Sequence, residues 1–237
     1  MRQSRNLMAL AGALISLIAV RDVRLDAVAR IVSFRALNGG TIEASLNEAP
    51  QRPAPAVVLV GMLGHSRDDW QAIAQRLADA RITTLAIDLP GAVAPPDVDA
   101  LARWSDSVRA AVAYLAARPE TRPGGIGVVG ASLGATLAAV AAADDPQVRA
   151  VALISPTLEY RGLRLEGPLK QYGGRPAYLV ASRLDTYAAR SARELAKDAP
   201  GPREVQMAEF PGAGTVLLTR EPDLVRLLTE WLQRTLG

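Results

Sequence analysis

The chain has 237 residues, 49% of them apolar and 22% charged, with a formal net charge of +3. That length suits one α/β domain with a substantial core, and the composition excludes both a disordered chain and a polytopic membrane protein. Cysteine is absent, which excludes disulfides, thiolate metal sites, a cysteine nucleophile and a lipid anchor on an N-terminal cysteine.

Taken in chain order, the first segment has the shape of a signal peptide. Arg2 and Arg5 precede an uncharged apolar stretch, residues 7–20, and Ala27-Val28-Ala29 offers small residues for cleavage. Four charged residues (Arg21, Asp22, Arg24 and Asp26) separate the two, so an apolar anchor that stays attached is the other reading. The stretch is short for a membrane span, which needs about 20 residues. The adjacent arginines of the twin-arginine route are missing. Residues 1–29 are therefore expected to direct export, periplasmic or extracellular, or to associate with a membrane; a cytoplasmic location fits them less well. They carry +2 of the net charge, and nothing in the remainder clusters basic residues with aromatics, so no nucleic-acid partner is expected.

Residues 30–237 then read as one folded domain. Ile31–Leu37 and Thr41–Leu46 flank Asn38-Gly39-Gly40 and predict a β-hairpin. Ala56–Gly61 is a continuous apolar run, as expected of a strand buried on both faces. A helix is expected over 67–80, where Trp70, Ile73 and Leu77 recur at helical spacing and Asp68 and Asp69 sit near the positive N-terminal end. The alternation repeats with a strand over 82–87, a long helix marked by Val98, Leu101, Val108, Val112 and Leu115, a strand over 126–129 and a helix of small residues over 133–143. Strands over 148–154 and 177–181, a helix over 188–199, a strand over 204–210 and a closing amphipathic helix over 223–236 complete the pattern. Alternating strand and helix predict an α/β fold, a mainly parallel sheet with helices on both faces.

One motif in this frame carries chemistry. In Gly130-Ala131-Ser132-Leu133-Gly134 a buried strand runs straight into a helix with serine at the turn. Side chains at the two glycine positions would collide with a turn that sharp, and the helix N-terminus aims free N–H groups at the same spot. The strand-to-helix context carries the assignment more than the pentapeptide, since a serine cap at a tight turn is the bland alternative. The overlapping run Gly125-Ile126-Gly127-Val128-Val129-Gly130 matches the dinucleotide fingerprint letter for letter, but its glycines lie inside the strand and Asp144 and Asp145 close a helix. That match is accidental.

Val57-Val58-Leu59-Val60-Gly61-Met62-Leu63-Gly64, the downstream Trp70, Ala86-Ile87-Asp88-Leu89-Pro90-Gly91 and the serine turn together resemble an α/β-hydrolase of the dienelactone-hydrolase or esterase type, over residues 31–237. The resemblance implies the α/β-hydrolase fold, with Ser132 as nucleophile and the N–H groups of Met62 and Leu133 as the oxyanion hole. It implies Asp185 as the acid, since Tyr178–Asp185 has the layout of apolar strand, short loop and aspartate; an N-cap of the helix starting at Thr186 is the compatible alternative. The family order is Ser, Asp, His, with histidine in the loop after the last strand. That loop reads Phe210-Pro211-Gly212-Ala213-Gly214-Thr215, with Ala213 where histidine falls, or with the histidine deleted. The chain's one histidine is His65, in the loop after Gly61, where it stands as a substitute base at the mouth of the site or as a plain polar loop residue.

Only residues 155–175 separate the strand after the serine helix from the next one, too little for a full lid domain, so an open, shallow site is expected, suited to short acyl esters or a peptide-like ligand better than to long lipids. One histidine and scattered carboxylates form no ligand cluster, so neither metal nor cofactor is expected. Two functions follow from this pattern: a serine hydrolase of carboxylic esters or related acyl bonds, weakened by the missing base, or a catalytically degenerate member that binds or scaffolds at the cell envelope.

Overall fold

The computed structural model describes residues 29–237 apart from 90, 92–96 and 198. The expected leader or anchor, up to residue 28, lies outside the described residues. Among the described residues no helix is long and apolar enough to cross a membrane.

The Asn38-Gly39-Gly40 signal produces the expected hairpin of β1 (Arg30–Arg35) and β2 (Thr41–Asn47), with Arg35 opposite Thr41. β3 (Ala54–Val60) is buried along its whole length, as its unbroken apolar run requires. A 3₁₀ turn over Arg67–Trp70 leads into α1 (Gln71–Asp79), then β4 (Thr83–Ile87), α2 (Val98–Ala116), β5 (Thr121–Ala131), α3 (Leu133–Asp144) and β6 (Val148–Ile154). The helix expected over 67–80 thus splits. Ser66 accepts the Asp68 N–H through its hydroxyl and the Asp69 N–H through its carbonyl, both at 3.3 Å, and this tightens the first turn.

Between β6 and β9 (Ala177–Ser182) lie a small hairpin, β7 (Glu159–Tyr160) and β8 (Leu163–Arg164), and α4 (Glu166–Tyr172). The chain ends with α5 (Thr186–Ala196), β10 (Arg203–Ala208), α6 (Gly214–Arg220) and α7 (Pro222–Leu236). Eight strands form one sheet in the order β1-β2-β4-β3-β5-β6-β9-β10, with β2 antiparallel to its neighbours and every pair from β4 to β10 parallel.

Side-chain alternation along the central strands divides the core into two layers. Ala56, Val58 and Val60 of β3 pack with α2, α3, α4 and α5, whereas Val57 and Leu59 pack with α1, α6 and α7. Helix α3 is buried almost all round, which its run of alanines and glycine permits. Its far end is held by Arg175, whose guanidinium donates to the carbonyls of Ala142 (2.8 Å), Asp145 (2.6 Å) and Val148 (2.7 Å). Ala142 lies in the last turn of the helix, where carbonyls have no intrahelical partner. The guanidinium also lies 4.0 Å from the centroid of the Tyr172 ring. The near end of the same helix begins at Ser132.

Candidate active site

Ser132 joins β5 to α3 with φ 53° and ψ −113°, a conformation that costs a non-glycine residue about 1–3 kcal/mol. The surroundings enforce it. A Cβ on Gly130 would lie 2.1 Å from the Gly134 carbonyl oxygen, and one on Gly134 would lie 2.2 Å from the Val60 oxygen and 2.6 Å from the Gly61 oxygen. The first turn of α3 is therefore pressed against the end of β3, and both glycines are required sterically. The Ser132 N–H donates to the Ile154 carbonyl at 2.9 Å, and its own carbonyl accepts the Ala135 N–H at 2.9 Å. Its side chain makes no capping bond, so the bland reading of a serine cap does not describe it.

The loop after β3 closes on itself through a His65 N–H to Met62 carbonyl bond of 3.2 Å. It is anchored from behind by Arg67, whose N–H donates to Asp88 at 2.8 Å and whose guanidinium pairs with Asp88 and, at 3.3 Å, with Glu43. The Met62 side chain turns into the layer of α1, α6 and α7, leaving its backbone N–H without an acceptor among the described residues. The same holds for the Leu133 N–H, the first of α3, as expected at a helix N-terminus.

His65 is turned toward Asp69. The Nδ1···Oδ2 distance is 2.5 Å, and the two side chains are 43% and 38% exposed. His65 lies in the loop before the 3₁₀ turn and Asp69 within it, and the pairing leaves Nε2 free; no bond joins His65 to Ser132.

Asp185 sits on the far side of the turn, after β9. Its carboxylate accepts the Ala188 N–H at 3.0 Å, so it caps α5. It lines an open groove of about 480 Å³ together with Leu184, Thr186, Tyr187, Pro211, Gly212 and Ala213. Ala213 thus shares a groove with Asp185, at the position immediately before α6.

Two buried serines that sequence reasoning missed hold this half of the site. Ser182, the last residue of β9, donates to the Phe210 carbonyl at 2.6 Å and accepts the Leu184 N–H at 3.1 Å, clamping the Asp185 loop to the loop after β10. Ser155, just beyond β6 at φ 51°, accepts the Gly214 N–H at 2.9 Å. The available signal was a serine ending each of two apolar strand runs. Gly214 is also where the two halves meet: a Cβ there would lie 2.3 Å from the Met62 sulfur and 3.4 Å from the Ala131 Cβ.

A sharp serine turn at the carboxyl end of a mainly parallel sheet, with an aspartate after a later strand, defines a class, and comparison with known proteins agrees. Residues 55–201 match the family model described as the alpha/beta hydrolase fold, and the chain belongs to that family. Among solved structures it is similar to a dienelactone hydrolase from Anabaena variabilis (20% identity, TM-score 0.71, 88% of this chain and 98% of that one). It is also similar to the esterase domain of a Rhodothermus marinus protein (21%, TM-score 0.70, 88% and 100%). A third is the α/β hydrolase GrgF from Penicillium sp. sh18 (15%, TM-score 0.76, 88% and 99%). No curated protein sequence matches the chain. Family and neighbours together support a hydrolase.

Proposed function

We propose that this protein is a serine hydrolase of carboxylic esters or related acyl bonds, of low turnover, with Ser132 as its nucleophile. One observation carries the reading: Ser132 is held in a strained turn between two sterically required glycines, with the Leu133 N–H unengaged beside it. In this reading the Ser132 hydroxyl oxygen attacks the ester carbonyl carbon and the C=O electron pair moves onto oxygen. The Met62 and Leu133 N–H groups donate to that oxyanion. Collapse expels the alkoxide, which takes up the serine proton, and water then releases the acid from Ser132.

The proton acceptor is the weak part. Asp185 shares its groove with Ala213, so no imidazole stands between the proposed acid and the serine. His65 is the one histidine in the chain, and Asp69 fixes its Nδ1 so that Nε2 is available to accept a proton. In a serine protease, loss of the histidine costs on the order of 10⁶ in turnover and leaves about 10³–10⁴ over water, which sets the scale for a site without a well-placed base.

A fluorophosphonate probe and p-nitrophenyl acetate test the reading. Labelling and turnover vanish in Ser132→Ala, and fall roughly 10²-fold in His65→Ala, the lower end of what a general base contributes. Unchanged labelling in His65→Ala removes His65 from the mechanism. The groove shared by Ala213 and Asp185 favours a second reading, a catalytically degenerate domain that binds or scaffolds at the cell envelope. Absence of labelling in the unmodified protein, with turnover no higher than in Ser132→Ala, selects it.

A further inference from the structure

Away from the serine turn, a cavity of about 420 Å³ opens between α2, α3 and the β7–β8 hairpin. Its volume falls within the range of about 300–1,000 Å³ typical of small-molecule sites. Leu101, Ala102, Val140 and Leu163 supply apolar wall, and the charged groups on it are Asp106, Arg109 and Arg161. Arg109 is shared between two carboxylates, Asp106 at 2.8 Å and Asp144 at 3.8 Å. Arg161 makes no ion pair among the described residues; Glu159, two positions before it, accepts the Gly162 N–H at 2.6 Å, and Arg164 pairs with Glu166 at 2.8 Å. Among the described residues Arg161 is thus the cation on the cavity wall without an ion pair, exposed beside the apolar side chains.

The backbone holds that charge in place at a cost. Arg161 and Gly162 form the two-residue turn of the hairpin with φ 51° and 84°. Positive φ at both positions suits Asn-Gly or Asp-Gly, and an arginine in the first position is strained. A strained residue that lines a cavity invites a functional reason.

We infer that this cavity binds a monoanionic amphiphile, a medium-chain alkyl carboxylate, with the tail along Leu101, Val140 and Leu163 and the carboxylate on Arg161. A guanidinium offers a planar fork that matches a carboxylate. The Asp106 carboxylate on the same wall disfavours a dianion such as a phosphate monoester. The inference is independent of the hydrolase reading, since Ser132 does not line this cavity.

Calorimetric titration of the full chain with decanoate tests it, with decyltrimethylammonium as the same tail of opposite charge. Saturable one-to-one binding of decanoate is expected, at least roughly tenfold tighter than the ammonium compound. Arg161→Gln should weaken it about tenfold, the scale of one charge-assisted hydrogen bond. Val140→Trp should abolish it by filling the cavity. Ala102→Trp, at an exposed lining position, does the same job should Val140→Trp fail to fold. Ser132→Ala should leave the affinity unchanged. The inference is overturned by absence of saturable decanoate binding, by equal affinity for the ammonium compound, by an affinity indifferent to Arg161→Gln or to the tryptophan variants, or by weakened binding in Ser132→Ala.

Discussion

At the β5–α3 turn the backbone leaves no room for a different residue, whereas the β10–α6 turn opens onto a groove. In the first, a Cβ on Gly130 or Gly134 would lie within 2.3 Å of a backbone oxygen, and Ser132 is forced to positive φ. In the second, Asp185 and Ala213 line an open space of about 480 Å³. The two turns belong to one sheet and meet at Gly214, which lies against both Met62 and Ala131. The contrast separates what the fold needs from what the proposed chemistry needs. A steric constraint in the sheet persists whether or not the protein turns over substrate, while a base is kept only by the reaction it serves.

The largest expected effect comes from supplying a base for the proposed chemistry. Ala213→His places an imidazole in the groove that Asp185 lines, and should raise kcat/KM for p-nitrophenyl acetate by 10²–10⁴-fold, the usual contribution of general base catalysis. The gain should depend on Asp185. Asp185→Asn should change little in the unaltered protein beyond a weakened α5 cap, yet remove most of the gain in Ala213→His. A histidine variant that folds and shows no gain would mean that the second turn is misplaced relative to Ser132, not merely short of a side chain.

Next in size is a break at the first turn. Gly134→Ala forces a methyl group onto the Val60 and Gly61 carbonyls and should lower stability by about 3 kcal/mol or more, the upper part of the overpacking range. Ala213→Ser, on the open groove, should stay within about 0.5 kcal/mol. Urea denaturation of both variants measures the contrast. Comparable midpoints would remove the claim that the two turns are held differently.

The same contrast explains what could be read from the chain before its structure. The serine turn was legible because its constraint is local: two glycines flank one serine between an apolar strand run and a helix of small residues. The central strands were legible because β3 and β6 bury both faces and so carry unbroken apolar runs. Helix α6 was not, since it has seven residues, follows Pro211-Gly212, and is held by burial of Leu217 and Leu218 against α1 and α7 more than by its own periodicity. The β7–β8 hairpin has two residues per strand and depends on a turn with an unfavoured arginine. Ser155 and Ser182 act across loops distant in sequence, on Gly214 and Phe210, so no spacing announces them. The His65–Asp69 pair was not legible either, because His65 lies in the loop before the 3₁₀ turn, where no helical spacing relates it to Asp69.

The smallest expected effect tests whether Ser132 is held against its own preference. Two substitutions remove the hydroxyl and differ in backbone freedom. Ser132→Ala keeps a Cβ and hence the cost of positive φ; Ser132→Gly removes that cost but gains conformational entropy when unfolded. Strain at such a conformation is worth about 1–3 kcal/mol and the glycine penalty about 0.4–1 kcal/mol, so Ser132→Gly should be the more stable of the two by roughly 1 kcal/mol. For a chain of this size that corresponds to about 2–4 °C in Tm, within reach of calorimetry. A Ser132→Ala variant as stable as Ser132→Gly would mean that the turn is relaxed. The tight packing of Gly130 and Gly134 would then define the path of the chain without loading the serine, and strain could no longer separate this turn from the open one at Ala213.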